Sequence, residues 1–189
     1  MKQRTEDNRI GEKKFMIQSR DFMLYHGTGN YFSKISLDKA RDFKDFGKGF
    51  YLTTVREQAI DWAEKRAGKR DRAYVYAYSL KGATIKEDFR ILEHLRYTEE
   101  WLDLVTECRT NAYEPEYDII YDRMADGDTD SIVRNYKAGK ISATWALNDI
   151  RKWRGAHDQY CFKSEKAIRL LDRIEEVVLL RENDEWRKS

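Results

Sequence analysis

Proline is almost absent: Pro115 is the only one in 189 residues, so no Pro-rich linker divides the chain. Only two cysteines occur, Cys108 and Cys161. They match no C-x-x-C spacing, which argues against a disulfide framework or a cysteine zinc site and leads us to expect two unpaired thiols in a reducing compartment, the cytoplasm. No apolar run approaches the roughly 20 residues that a membrane-spanning helix needs. Met1 to Arg20 also lacks the apolar stretch of a secretory signal, so neither insertion nor export is expected. An excess of one charge is missing too: 36 Lys+Arg stand against 34 Asp+Glu, a net +2 with the signs interspersed, which gives no nucleic-acid footprint. The local exception is residues 1–20, where Lys2, Arg4, Arg9, Lys13, Lys14 and Arg20 outnumber Glu6, Asp7 and Glu12. They read as a basic, flexible N-terminal segment ahead of a single domain over residues 21–189. What is present, 41% hydrophobic and 13% aromatic residues, is enough for a core without metals or disulfides.

Phe22-Met23-Leu24-Tyr25, closed by His26-Gly27-Thr28-Gly29-Asn30, reads as a buried strand ending in a turn. Gly49 to Thr54 is a second strand after the turn-prone Asp45-Phe46-Gly47-Lys48. The spacing of Val55, Ala59, Trp62 and Ala63 predicts an amphipathic helix from Thr54 to Ala67, capped by Thr54 and stopped by Gly68. Strict alternation over Tyr74 to Leu80, tyrosines on one face, predicts a strand. Thr98 to Arg109 predicts a helix capped by Thr98, with Glu99 and Glu100 at the positive end of its dipole. Further on we expect a strand over Tyr117 to Tyr121, helices from the Asp126-to-Asp130 cluster to about Lys137 and from Ser142 to Trp153, a strand over Gln159 to Phe162 handed to a helix by Ser164, and a last strand over Val177 to Leu180. Helices and strands mix without regular alternation or internal repeat, so the fold class is α+β.

Familiar chemistry fails on inspection. Gly27-Thr28-Gly29 and Gly47-Lys48-Gly49 begin like dinucleotide fingerprints, but the third glycine is Phe32 in one and Leu52 in the other. Asp126-Gly127-Asp128-Thr129-Asp130 imitates a calcium loop whose glycine position holds Ser131 and whose glutamate position holds Lys137. His26, His94 and His157 fit no zinc spacing, and no G-x-S-x-G elbow occurs. Asp118, Asp126 and Asp128 read first as caps rather than as general bases.

Four pieces remain: Tyr25-His26-Gly27-Thr28, Phe46-Gly47-Lys48-Gly49-Phe50-Tyr51-Leu52, Trp62, and Asp158-Gln159-Tyr160-Cys161-Phe162. Each alone has a plain structural account as a hydrogen-bonded histidine, a turn, a core aromatic or a strand start. In this order they resemble the ADP-ribosyltransferase superfamily, in the His-Tyr-Glu branch that includes poly(ADP-ribose) polymerases and diphtheria toxin. Together with Gln58-Ala59, Tyr117-Asp118-Ile119-Ile120 and Ala125-Asp126, they are most similar to a bacterial domain-of-unknown-function family grouped with these transferases and often encoded beside a small antitoxin-like partner. The coverage runs from about Phe22 to Leu180.

The resemblance implies an ADP-ribosyltransferase-like split mixed and antiparallel β-sheet core with flanking helices. It also implies NAD as co-substrate, with no metal, and a macromolecular acceptor, protein before nucleic acid. His26, Tyr51 and Gln159 would be catalytic, and His26, Gly27, Thr28, Phe46, Lys48, Gly49, Tyr51 and Trp62 would hold NAD. Tyr51 and Trp62 would clamp the nicotinamide ring, a stack that suits its positive charge. His26 would bond the adenosine ribose, a positioning role, and Lys48 would meet the pyrophosphate. Gln159 departs from the pattern, standing where the family has glutamate. Its carbonyl can accept a ribose hydroxyl, but it carries no charge for a cationic transition state and is no general base. Chain elongation is therefore not expected. Mono-ADP-ribosyl transfer in a toxin-type effector comes first, with NAD hydrolysis and an NAD-binding or partner-binding module as alternatives. His157, two before Gln159, breaks the E-x-E or Q-x-E motif that would favour arginine as acceptor.

Overall fold

The computed structural model describes residues 15–86, 88–125, 128–152, 158–182 and 185–188. The fold is α+β, with two four-stranded sheets. Strands β1 (Asp21–Thr28), β3 (Arg72–Lys81), β7 (Leu171–Glu182) and β8 (Glu185–Lys188) form an antiparallel sheet in the order β1-β3-β7-β8. The second sheet has the order β2-β6-β5-β4, from β2 (Phe50–Leu52), β6 (Asp158–Phe162), β5 (Ile119–Arg123) and β4 (Ile91–Glu93), with only the β4–β5 pair parallel. The sheets touch edge to edge between β1 and the end of β2. There the Tyr25 N–H donates to the Thr53 carbonyl at 2.7 Å and the Thr53 N–H returns a bond to Tyr25 at 3.0 Å.

Apolar side chains on facing sides of the two sheets make the main core: Phe22, Leu24, Tyr76, Tyr78 and Leu80 against Phe50, Leu52, Ile119, Tyr121, Tyr160 and Phe162. Each such side chain removed from water stabilises the fold by about 1.5–3 kcal/mol before chain entropy is counted. The far face of the first sheet is covered by α1 (Arg56–Ala67), which lays Ala59, Ala63 and Ala67 against Ala73, Val75, Val177 and Leu179. Both faces of β3 are thus buried, and its alternation separates two cores rather than core from solvent. A Cβ on Gly27 would lie 1.8 Å from the Ala59 carbonyl oxygen, and one on Gly29 would lie 2.6 Å from Ala67 Cα, so the helix can sit this close only because β1 carries glycine there. The far face of the second sheet packs Ile120 and Cys161 under α2 (Glu99–Asn111), α3 (Thr129–Lys137) and α4 (Ala143–Lys152), led by Trp101, Leu102 and Val105.

Several expected boundaries move. Val55, not Thr54, stands at the start of α1, and its apolar side chain has no acceptor to cap the helix; the Thr53 hydroxyl accepts the Val55 N–H at 3.1 Å. Thr98 does cap α2 through the Trp101 N–H, and Ser164 caps the short α5 (Glu165–Ile168) through Ala167. The folded unit begins before residue 21: Ile17 is fully buried, and the Met16 and Ile17 N–H groups donate to the Glu93 carboxylate at 3.1 and 3.2 Å. A hydrophobic side chain in a basic stretch decides that boundary. β4 and β8 were not expected, and β7 extends well beyond Val177 to Leu180 at both ends. Asp126, Trp153 and His157 lie outside the described residues. Among the described residues no helix is long and apolar enough to cross a membrane.

Candidate functional site

The segment before β2 is tied down from three sides. Gly47 adopts φ +72°, the left-handed region that glycine enters freely, and a Cβ there would sit 2.6 Å from the Glu114 carboxylate. That carboxylate accepts the Lys48 N–H through both oxygens at 2.8 and 3.0 Å. Lys163 Nζ donates to the carbonyls of Phe46 and Lys48, at 2.7 and 2.6 Å, and to Glu114 at 3.0 Å. The Tyr51 hydroxyl closes the loop, donating to the Gly47 carbonyl at 2.7 Å while accepting the Phe46 N–H at 3.0 Å. Burial pushes the Tyr51 phenol well above its ordinary range, with Cys161 and Asp45 adding to the effect, so it remains a neutral donor. Gly49 is needed for another reason: a Cβ would meet Cys161 Sγ at 2.3 Å. Burial holds that thiol up at about 12, as it does Cys108, so neither free cysteine is a nucleophile near neutral pH.

His26 reaches the same strand from β1. Its Nδ1 lies 2.8 Å from the Tyr51 carbonyl oxygen. A carbonyl can only accept, so the proton belongs on Nδ1 and the Nε2 lone pair is the acceptor. The ring packs on Phe50, centroids 4.4 Å apart, and edge-on to Phe32. Burial lowers the imidazole to about 4, against the opposing pull of the Tyr51 carbonyl, so it is neutral at physiological pH. Its neighbour Thr28 turns its hydroxyl to the Asn30 N–H at 3.2 Å.

Gln159, the second residue of β6, is buried, and its Nε2 donates to Asp45 Oδ2 at 2.6 Å. The same Oδ2 accepts the Ala125 N–H at 3.1 Å, and Oδ1 accepts Arg109 Nε at 2.8 Å. Arg109, from α2, also pairs with Asp130 on α3. Because Asp45 only accepts, the Gln159 amide must face it with its NH2, which turns Oε1 away; among the described residues Oε1 carries no hydrogen bond. Directly across the β5–β6 pair stands Asp122, fully buried, accepting His94 Nδ1 at 3.1 Å and the Leu95 and Arg123 N–H groups. Burial raises the proton affinity of Asp122 against the pull of these donors.

One side of α1 faces this region. Gln58, Trp62 and Arg66 recur every four residues and so share a face. Gln58 Nε2 lies 3.5 Å from Met124 Sδ, at the end of β5, while its Oε1 is buried with no hydrogen bond among the described residues. Trp62 is 45% exposed, with the Arg66 guanidinium 4.7 Å above its ring. Arg66 and Arg41 crowd Lys44, whose proton affinity falls through burial first and then through these neighbours. Arg41, Lys44 and Arg66 have no ion pair with any described residue, whereas Lys48 pairs with Asp42 at 3.0 Å.

The expected site residues therefore divide. His26, Tyr51 and the glycine loop come together through backbone contacts, and Gln159 joins them through the β2–β6 pair. The Tyr51 ring stacks on the fully buried Phe46, 6.5 Å away, and makes no ring contact with Trp62 among the described residues. Asp118 serves the fold, accepting the Arg90 N–H at 2.8 Å and Lys166 Nζ at 3.1 Å. Asp45 and Arg109 are the groups that sequence reasoning missed: Asp45 lay inside a quoted motif, but 64 residues separate it from Arg109. Among the described residues no group of three or more His, Cys, Asp or Glu could hold a metal ion.

No curated protein and no solved structure matches this chain. A family model described as a protein of unknown function (DUF3990) matches residues 22–172, from the start of β1 into β7. That match takes in the glycine loop, the α1 face and Gln159, and the chain belongs to the DUF3990 family.

Proposed function

We propose that the chain is an NAD-dependent mono-ADP-ribosyltransferase that moves ADP-ribose from NAD to an intracellular macromolecule and releases nicotinamide. In this reading the two sheets that meet at Tyr25 and Thr53 are the split sheet of an ADP-ribosyltransferase-like fold. The observation that carries the proposal is the Gln159 carbonyl, fixed by Asp45 and without a donor among the described residues. In this reading it accepts a hydroxyl of the nicotinamide ribose. Three further features fit a dinucleotide. The half-exposed Trp62 ring already attracts the Arg66 guanidinium, and a pyridinium can take that place as Arg66 turns to phosphate; the Gln58 Oε1 lacks a donor among the described residues, such as a carboxamide would supply; and Arg41, Lys44 and Arg66, without an ion pair among the described residues, offer charge to a pyrophosphate. This last feature moves the phosphate role from Lys48, which is paired, to its neighbours.

In the transfer the ribose C1′–nicotinamide bond breaks and its electron pair passes to the ring. A lone pair of the acceptor forms the new bond at C1′, and the acceptor proton passes to solvent. The protein's part is to hold the sugar and ring while positive charge develops. Because Gln159 is neutral, we expect single transfer to a good nucleophile, in a cytoplasmic toxin-type effector held in check by a small antitoxin-like protein. The neutral amide also favours a second reading, a module that binds NAD without breaking it. Nicotinamide release from NAD by the purified protein, with and without bacterial lysate and with labelled NAD, separates these readings. Release with label on a macromolecule supports transfer, and release without label indicates hydrolysis. NAD binding with no release leaves the binding module, and neither binding nor release refutes the NAD reading altogether.

A further inference from the structure

The glutamine at 159 looks like a loss when it is compared with the transferases it resembles, yet its surroundings are built for an amide. Asp45 Oδ2 receives two donors, Gln159 Nε2 at 2.6 Å and the Ala125 N–H at 3.1 Å, while Oδ1 is held by Arg109. Asp45 is buried, and its acceptor positions face donors. A carboxylate at position 159 would meet that carboxylate at hydrogen-bond distance, and two carboxylates sharing one buried site cannot both be ionised without a large cost. The amide satisfies Asp45 and leaves one acceptor, Oε1, pointing away from it.

We propose that Asp45 is the positioning residue of this site: it fixes the Gln159 amide with Oε1 free for the ribose, and it supplies, one hydrogen bond back, the negative charge that residue 159 lacks. The inference rests on the proposed function for its catalytic half only. The structural half, an obligatory acid–amide pair between positions 45 and 159, stands on the geometry alone.

The test is a cycle of four full-length proteins: the parent, Gln159→Glu, Asp45→Asn and the double variant. Each is melted from pH 5 to pH 8 and assayed for nicotinamide release. Groups facing the pair from neighbouring elements are Lys44, Tyr51, Cys108, Arg109 and Cys161, with Asp130 behind Arg109. Asp122, with His94, faces position 159 across the strand pair. All are present in all four proteins, so their titration is common to the set. In Gln159→Glu one of the two carboxylates must keep a proton, and its raised folded-state pKa stabilises at low pH and is lost as pH rises. We therefore expect Gln159→Glu to lose about 5 °C or more relative to the parent between pH 5 and pH 8, and the double variant to follow the parent's pH dependence. Asp45→Asn keeps the size of the side chain but turns an NH2 toward either Arg109 or the Gln159 and Ala125 donors, so it should lower nicotinamide release about tenfold or more, its melting curve showing the fraction that remains folded. The proposal is overturned if Gln159→Glu follows the parent at every pH, or if the double variant is no better than Gln159→Glu. If the parent releases no nicotinamide, the proposed function and the charge-supplying half fail together, while the melting curves still decide the pairing.

Discussion

His26 should make this fold sensitive to mild acid, and the size of the effect follows from its surroundings. Burial lowers the imidazole from 6.5 to about 4 in the folded chain, although the Tyr51 carbonyl pulls the other way. In the unfolded chain the ring titrates at its ordinary value, so the unfolded state binds the proton more tightly. The resulting stability is fully present above about pH 6.5 and is lost as pH falls toward 4. Linkage puts the loss at about 2 kcal/mol by pH 5, which for a chain of this size lowers the melting temperature by about 4–8 °C. The control is His26→Asn, whose amide can still donate to the Tyr51 carbonyl but cannot titrate. At pH 7.5 it should cost about 1 kcal/mol or more, through lost ring packing on Phe50 and Phe32. Between pH 7.5 and pH 5 it should lose less than the parent by the amount just given. Asp118 is lowered and Asp122 raised by their surroundings, which gives opposite pH dependences, but both proteins contain both groups and the difference cancels them. Calorimetry at the two pH values measures the difference. Equal acid losses in parent and His26→Asn would refute the assignment of a part-buried, neutral imidazole that donates through Nδ1 to the Tyr51 carbonyl.

Two more outcomes follow. Gly27→Ala should destabilise the fold by about 3 kcal/mol or more, read from a denaturant midpoint, because its Cβ would fall 1.8 Å from the Ala59 carbonyl oxygen, a backbone atom that moves only with the whole of α1. Trp62→Ala should cost about 1–2 kcal/mol of stability, since the ring is 45% exposed and the rest of it is packed, while weakening NAD binding about tenfold in calorimetry; unchanged affinity would remove Trp62 from the site.

Local pattern placed most elements. Alternation found β3, and Thr98 and Ser164 marked two helix starts, because capping and pleat depend on residues within a turn of one another. Boundaries failed where a turn shifted the start of an element or a distant group intervened. The Val55 N–H turned back to the Thr53 hydroxyl at the start of α1, and Ile17 found a core contributed by both sheets. Of the candidate site, the glycine loop was readable, since Gly47 and Gly49 sit where the chain turns or approaches another strand, whereas Gln159 was singled out by resemblance alone. Their partners were not. Glu114 and Lys163 hold that loop from 66 and 115 residues away, and no spacing rule reaches so far.

By itself, the sequence determined the α+β class and the glycine-bearing turns, because these depend on local backbone preference and residue type; His26, Tyr51 and Gln159 were singled out by resemblance to a family motif alone. Only the tertiary structure decided what those residues touch. It set His26 against a carbonyl, closed the Tyr51 hydroxyl onto its own loop, left Arg41, Lys44 and Arg66 without an ion pair among the described residues, and placed Asp45 behind Gln159. Burial and hydrogen-bond supply are properties of the packed chain, and they turn the amide at 159 from an apparent defect into the matching half of a buried pair.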